Sequence, residues 1–335
     1  MSRRISIFGA SFASVSFLLD NPAIAAGIAA PFALFRLKSG YTGPIVDVRR
    51  TVGVTTTIVS VGLGSSSQFT LDAPVTGVVT GSSSATNLGE FVAAAGYADP
   101  DSLGSAQDWF YIKGYNQNSG TQVWEQLSAT SQPRGGTAGV MAMRNGRAEM
   151  VFDGSNDWCN FGLIGGATKP ADWSVIGVGA FNLVSGLRVF CTSASQFVNA
   201  MTWGYFGRRS NAANKLELSY GNGDPVADPN NYRLTRTTAN TITTGQQMLM
   251  EWYKETGVID GSVYTDGVAQ SVAPVIGTSV DSGGTNGTFS LGGFGSLIGV
   301  NFSGGAQFIG VWLTDKESER LAIKQKLNEI LGTTW

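Results

Sequence analysis

From Glu149 onward, the sequence is divided into short β-forming segments separated by turns rich in glycine, asparagine and aspartate. The segments are Ser174–Phe181, Leu187–Thr192, Lys215–Tyr220, Gln247–Lys254, Ser262–Thr265 and Thr288–Leu291. Earlier in the chain, Ile45–Arg50 and Trp109–Gly114 have the same character. Short strands at regular spacing are typical of antiparallel sandwiches. The sequence therefore predicts a mainly β fold.

The composition favours a protein that is buried against neighbours. Charged residues make up 14% of the 335 residues, whereas an ordinary globular protein has about 25%. Large uncharged surfaces suit contact with other chains. The net charge is −2, and lysine and arginine never occur more than two in a row. We therefore predict no nucleic-acid partner. The sequence contains no run of 18 apolar residues, so no membrane span is predicted.

The sequence contains no histidine. This excludes Ser-His-Asp and Cys-His catalysis and every zinc site that needs an imidazole. Cys159 and Cys191 are too few to form a zinc cluster, so they form either one disulfide or two buried, unpaired side chains. We favour the unpaired state, because a single bridge in a chain of this size is not a disulfide framework. No metal site and no cofactor are predicted.

The N-terminal region has the order of charges and apolar residues found in a secretory signal. Arg3 and Arg4 precede the apolar run Ile5–Leu19, and the alanine-rich Pro22–Ala30 follows. The apolar run is, however, interrupted by a glycine and several serines. We therefore expect residues 1–30 to be a retained arm that packs on a partner chain in an assembly.

Three helical regions are predicted, and the domain that follows the arm spans residues 31–335. Pro22–Lys38 has the pattern of helical pieces, in which Pro31 suits a first helical turn and an apolar side follows. Asn87–Glu90 begins a short helix with a capping-box-like pattern, which Gly96 ends. Near the C-terminus, Thr314 and Glu317 have the spacing of a capping box, and Gly332 ends the apolar periodicity. This last helix is expected to pack on the sandwich.

Four stretches, taken in order, resemble one family of domains. They resemble the catalytic domain of B-type α-L-arabinofuranosidases and the related concanavalin-A-like and laminin-G-like domains of phage virion proteins. The stretches are Leu34–Arg50 (LFRLKSGYTGPIVDVRR), Tyr111–Pro133 (YIKGYNQNSGTQVWEQLSATSQP), Asn145–Trp158 (NGRAEMVFDGSNDW) and Gly304–Leu331. The resemblance implies a jelly-roll sandwich of two antiparallel sheets with short helices and a C-terminal helix.

The two carboxylates of the family's catalytic site are not found at the matching positions. Retaining glycosidases need a nucleophile and a general acid about 5 Å apart. In the segment Met201–Gly207, which resembles the nucleophile strand, Thr202 stands where the glutamate is expected. In Leu291–Ser296, which resembles the acid segment, Ser296 stands where the aspartate is expected. A threonine hydroxyl cannot act as the nucleophile without an activating base.

A small shift of the alignment does not restore these carboxylates. No acidic residue lies between Asp172 and Glu217, or between Asp281 and Asp315. We therefore predict that the chain is not an enzyme.

Two other groups of residues are candidates for binding. Trp203, Tyr205, Phe206, Arg208 and Arg209 are predicted to form a patch that binds a partner or a glycan, because aromatic faces and arginine donors suit both. The alternative is that strand alternation places half of these side chains in the core.

The Asp153–Asp157 turn is the second group. Its carboxylates are suited to a calcium ion or a sugar, but aspartates in such turns usually bond their own backbone. We favour the turn interpretation.

The sequence thus supports three functions of different classes. The favoured one is a non-catalytic structural protein of a phage virion, such as a tail, fibre, collar or capsid-decoration subunit. It would contact other virion proteins, form a homo-oligomer and adhere to a host-surface glycan. The alternatives are a carbohydrate-binding module and an active arabinofuranosidase-like hydrolase.

Overall fold

The computed structural model describes residues 17–93, 108–164, 170–182, 188–194, 201–209, 214–221, 232–258, 260–276, 288–293 and 301–335. The strands are β1 (Ile28–Ala33), β2 (Pro44–Val52), β3 (Thr55–Gly62), β4 (Val75–Thr80), β5 (Asp108–Tyr115), β6 (Gln122–Glu125), β7 (Arg134–Thr137), β8 (Val140–Met141), β9 (Met143–Arg144), β10 (Arg147–Ala148), β11 (Met150–Asp153), β12 (Cys159–Leu163), β13 (Trp173–Phe181), β14 (Arg188–Ala194), β15 (Met201–Arg209), β16 (Lys215–Gly221), β17 (Tyr232–Thr237), β18 (Met248–Lys254), β19 (Ser262–Thr265), β20 (Val268–Ala269), β21 (Val272–Ile276), β22 (Thr288–Leu291) and β23 (Ser303–Trp312).

Helices are few and short. The α-helices are α1 (Pro22–Ala25), α2 (Leu88–Val92) and α3 (Arg320–Leu331), and single 3₁₀ turns occur at Leu18–Asp20, Ala129–Ser131 and Glu317–Glu319. Among the helices of the described ranges, none has the length and apolar character needed to cross a membrane.

The strands form two antiparallel sheets, which confirms the predicted fold class. The first sheet has the order β20–β19–β18–β13–β23, and β1 and β11 share the far side of β23. The second has the order β4–β3–β2–β5–β6–β12–β22–β14–β15–β16–β17–β21. Strand β7 pairs with both β5 and β11 and so connects the two sheets.

The first sheet is covered on both faces, which explains why its central strands are apolar throughout. Along β13, Trp173 and Val175 point into the core between the sheets, whereas Ile176 and Val178 point to the opposite face. A glycine lies at position 177 because a Cβ there would lie 2.3 Å from Cε1 of Phe190. Strands buried on both faces lose the apolar–polar alternation of a half-exposed sheet.

Helix α3 and the N-terminal segment cover the outer face of the first sheet. Buried apolar residues of the helix pack with Leu18, Leu19 and Ile24, and with the outward side chains of β13, β18 and β23. Each such side chain contributes about 2 kcal/mol by its removal from water. The helix ends at Gly332, which has a φ of 70°, so the predicted C-terminal end is confirmed.

The predicted start of the C-terminal helix is wrong. The α-helix begins at Arg320, after a separate 3₁₀ turn, and no side chain caps its first turn. The carboxylate of Glu317 accepts a hydrogen bond from the hydroxyl of Tyr264 instead of capping Thr314. A tertiary contact on β19 therefore replaces the local capping box.

The helical pieces predicted for Pro22–Lys38 are confirmed at α1 but are wrong from residue 28 onward, and the short helix predicted from Asn87 is confirmed as α2, with Asn87 as its N-cap. Residues 28–33 form β1, in which Phe32 is paired with Ile309 of β23. The apolar side chains alternate between two clusters, because Phe32 and Leu34 join the core between the sheets and Phe35 joins the outer cluster. A period of two residues indicates a strand, and the apolar content of a short segment does not by itself distinguish a strand from a helix.

The expected boundary at residue 30 falls inside β1. The side chains of Leu18 and Ile24 are fully buried in the outer apolar cluster, and Ala30 of β1 packs in the core between the sheets. This part of the expected arm therefore belongs to the sandwich. Residues 1–16 lie outside the described residues.

Candidate functional site

The predicted binding patch follows strand β15, which pairs with β14 on one side and β16 on the other. Phe206 lies in the core between the sheets, with its ring centroid 5.1 Å from that of Trp173 and 5.2 Å from that of Trp252. Its side chain is fully buried. Phe206 is therefore a core residue and not a surface residue, in agreement with the alternative that strand alternation places part of the predicted patch in the core.

The side chains of Trp203, Tyr205, Arg208 and Arg209 lie outside the described residues, as does that of Thr202. Ser296 falls in residues 294–300, which also lie outside them.

Several buried carboxylates bind donors on neighbouring strands. Glu149 accepts a 2.7 Å bond from Nε of Arg144, and Glu217 accepts a 2.5 Å bond from Nη2 of Arg236. Burial raises the pKa of Glu149, and the Arg144 guanidinium opposes that rise. Asp47 accepts hydrogen bonds from Ser60 at 2.7 Å and from Tyr115. These carboxylates connect strands to one another.

The Asp153–Asp157 segment forms the turn that the sequence analysis favoured. Oδ1 of Asp153 accepts a 2.6 Å bond from the backbone N–H of Ser155, and Oδ2 of Asp157 accepts a 2.9 Å bond from the backbone N–H of Asp153. Gly154 has a φ of 87°, a conformation that favours glycine. The second oxygen of Asp153 is buried with no hydrogen-bond partner.

A small cleft lies beside this turn, where β7 passes between the two sheets. Its volume is about 300 Å³, and it is lined by Arg134, Val151, Phe152, Asp153, Asp157, Asn182 and Ser303. Within the described parts of the chain, no group of three or more aspartate, glutamate, cysteine or histidine side chains is placed to hold a metal ion.

A larger groove, which the sequence analysis missed, lies at the end of helix α3. Its volume is about 630 Å³, and it is lined by Asn145, Gly245, Gln246, Gln247, Asp266, Val268, Gly332, Thr333, Thr334 and Trp335. We call it the tail groove. Four segments that are far apart in the sequence form it, so no local motif marks it.

The residues of the tail groove combine amide side chains with one aromatic ring and one carboxylate. Such a set of groups provides hydrogen-bond donors, acceptors and an apolar surface in one place. The groove is therefore equipped to bind a small polar molecule.

No protein-family model matches this chain, and no curated protein matches it. Among solved structures, the chain is similar to an arabinofuranosidase complexed with arabinofuranosyl-α-1,2-xylobiose, with a TM-score of 0.51 and 14% identity over 92% of this chain and 64% of that one. It thus spans less than two thirds of that enzyme's length.

Two weaker similarities involve carbohydrate-associated domains. The CBM40 domain of the Ruminococcus gnavus IT-sialidase, bound to α2,3 sialyllactose, has a TM-score of 0.37 and 7% identity over 47% of this chain and 83% of that one. Domain 4 of AbnA, an arabinanase from Geobacillus stearothermophilus in complex with arabinotriose, has a TM-score of 0.37 and 13% identity over 53% of this chain and 75% of that one. At 14% identity the likeness to the arabinofuranosidase is one of fold alone, and the fold is a β-sandwich.

Proposed function

We propose that this chain is a non-catalytic subunit of a phage virion that acts through protein–protein contact and adhesion. The observation that carries the proposal is chemical. Thr202 and Ser296 stand where the resembling hydrolases have their two carboxylates. A sandwich of hydrolase type without that pair keeps its surfaces but cannot form or release a glycosyl intermediate.

The exposed edge of the second sheet supports a role in contact. Within the described residues, β3 is the one strand that pairs with β4, and at the start of β4 the backbone N–H of Val75 donates to the carbonyl of Thr86. Farther along the strand, Val78 and Val79 are about half exposed, at 45% and 51%. No charged residue occurs between Asp72 and Glu90. Proteins that remain monomeric usually protect such an edge with charges or prolines. We propose that β4 pairs with a neighbouring subunit in a symmetric homo-oligomer.

The arm is the second element of the proposal. Leu18, Leu19 and Ile24 pack in the outer apolar cluster and residues 28–30 belong to β1, so we propose that residues 1–16 alone anchor the subunit.

Oligomeric state tests the contact surface. We expect the purified chain to form a defined oligomer by light scattering, and Val79→Lys to shift it to a monomer. The matched control is Val54→Lys, because Val54 is fully exposed on the β2–β3 hairpin and lies away from the β4 edge. A wild-type chain that is monomeric at micromolar concentration contradicts the proposed edge contact.

Particle composition tests the location. We expect the full chain in purified virions at a fixed number of copies, and a chain lacking residues 1–16 to fold but to be absent from them. Incorporation of the shortened chain at the normal level contradicts the anchoring role, and absence of the full chain contradicts the virion role.

A further inference from the structure

The tail groove is held in shape by bonds that do not involve a ligand. Asn328 of α3 fixes the tail, because its Oδ1 accepts a 2.7 Å bond from the hydroxyl of Thr333 and a 3.2 Å bond from the backbone N–H of Trp335. The Trp335 side chain also packs against the outer apolar cluster. The tryptophan at this wall is therefore positioned before any ligand binds, which lowers the entropic cost of binding.

A chain of amides fixes the opposite wall. Nδ2 of Asn145 donates to Oε1 of Gln247, and Nε2 of Gln247 donates to Oε1 of Gln307. Gln307 in turn donates to the backbone carbonyls of Arg144 and Arg147 at 3.1 and 3.2 Å. This series sets the orientation of every amide in it, from the buried Gln307 to the exposed Asn145.

Charge selects the class of ligand. Asp266 is the single ionisable side chain among the residues that line the groove. Its Oδ1 accepts a 2.9 Å bond from the backbone N–H of Leu249, so the carboxylate is held at the edge of the β19–β20 turn. Lys324 and Arg144 donate to the backbone carbonyls of Asp266 and Gly245, but neither side chain lines the groove. The charge that the lining itself presents is therefore negative, which disfavours phosphates and other anions. Amides and hydroxyls, by contrast, match ligand groups that both donate and accept.

Size and the aromatic ring narrow the class further. A volume of about 630 Å³ lies within the range of small-molecule sites, roughly 300–1,000 Å³. The indole of Trp335 offers an apolar face with a polar edge, which suits a ring that carries C–H groups on one side and hydroxyls around its rim.

We propose that the tail groove binds a neutral saccharide, with Trp335 against the sugar ring and Asn145, Gln246 and Asp266 on its hydroxyls. This inference names a ligand class for the adhesive part of the proposed function. The test of saccharide binding uses the isolated chain. Saccharide binding can therefore fail while the assembly role holds, and the assembly role can fail while saccharide binding holds.

The experiment is binding of the purified full chain to an array of neutral and acidic glycans, followed by calorimetric titration of the strongest neutral oligosaccharide. We expect retention on neutral glycans and none on sialylated or sulfated ones. Gln246→Ala is expected to weaken binding at least tenfold, because the exposed Gln246 side chain lines the groove. Trp335→Ala is expected to abolish measurable binding.

The matched control is Gln122→Ala, which removes an exposed glutamine on β6 outside the groove and is expected to leave affinity unchanged. The thermal transition of Gln246→Ala should match that of the wild type, which separates loss of binding from loss of folding. Failure of the wild type to bind any neutral glycan overturns the inference. So does neutral-glycan binding that both groove variants leave intact, or a preference for acidic glycans or peptides.

Discussion

The carboxyl group of Glu251 lies buried beneath helix α3, where its Oε1 accepts a 2.9 Å hydrogen bond from the hydroxyl of Tyr253. Its Oε2 is buried with no hydrogen-bond partner. Burial raises the pKa of Glu251 from 4.5 to about 7, while the Tyr253 bond and the charges of Arg320 and Lys324 oppose the rise and Asp266 adds to it. The helix thus packs on a carboxyl group that takes up a proton near neutral pH.

This pKa predicts a stability that falls as the pH rises. Below about pH 4.5 both the folded and the unfolded states hold the proton, so Glu251 does not change the balance. Between pH 4.5 and about 7 the unfolded state loses the proton first, and the free energy of unfolding decreases by up to about 3 kcal/mol. Above pH 7 the effect of this group becomes constant.

Glu251→Gln tests that assignment, because glutamine resembles the protonated carboxyl group. We expect the variant to match the wild type in urea unfolding at pH 5 and to exceed its stability by about 1–3 kcal/mol at pH 8. If the free energies of unfolding of the wild type and of Glu251→Gln change with pH in the same way, the raised pKa of Glu251 is contradicted.

A second prediction concerns the packing of α3. Leu327 is fully buried against the first sheet, whereas Leu321 on the same helix is 65% exposed. Leu327→Ala should lower the free energy of unfolding by about 3 kcal/mol, because it leaves a cavity. Leu321→Ala should change it by less than about 0.5 kcal/mol. Equal effects in a denaturant titration would show that the helix does not pack as described.

Glycine placement gives a third prediction. A Cβ at Gly114 would lie 2.0 Å from Nε1 of Trp124, whose ring is fully buried and has no room to move. Gly114→Ala should therefore destabilise the fold by about 2 kcal/mol or more. The control is Gly40→Ala in the exposed turn before β2, where a Cβ meets nothing within 4 Å. Similar thermal transitions for the two variants would contradict the packing of Trp124.

The cysteines provide a fourth prediction. Cys159 and Cys191 are both buried and free, which confirms the unpaired state favoured from the sequence. They pair with Leu291 from opposite sides, so their Cα atoms lie about two strand spacings, roughly 9–10 Å, apart, beyond the reach of a disulfide.

Burial raises the pKa of both thiols well above its ordinary value, so neither should react with a thiol reagent in the folded protein at pH 8. Two thiols per chain should react in denaturant. No reactive thiol in denaturant would instead indicate a disulfide.

The sequence predicted most strands because their signals are local. The segment Ser262–Thr265 coincides with β19, and Thr288–Leu291 coincides with β22. Errors arose where a distant partner determined the local structure. The pairing of residues 28–33 with β23 overrides the helical interpretation of Pro31–Lys38. The carboxylate of Glu317, which a capping box at Thr314 needs, accepts a hydrogen bond from the Tyr264 hydroxyl instead.

The candidate sites were less predictable for the same physical reason. Asn145 and Trp335 line one groove although 190 residues separate them, and only the closure of the sandwich brings them together. Phe206 was predicted at the surface and lies in the core, because the sequence of a strand alone does not reveal which face of the sheet each aromatic residue occupies.

We propose that this β-sandwich acts through contact with other molecules and does not hydrolyse glycosides. The most direct measurement is the release of nitrophenol from para-nitrophenyl α-L-arabinofuranoside by the purified full chain. We expect no release above the buffer rate, for the wild type and for chains with single aspartate or glutamate substitutions. Release by the wild type that is lost when one carboxylate is replaced would contradict it.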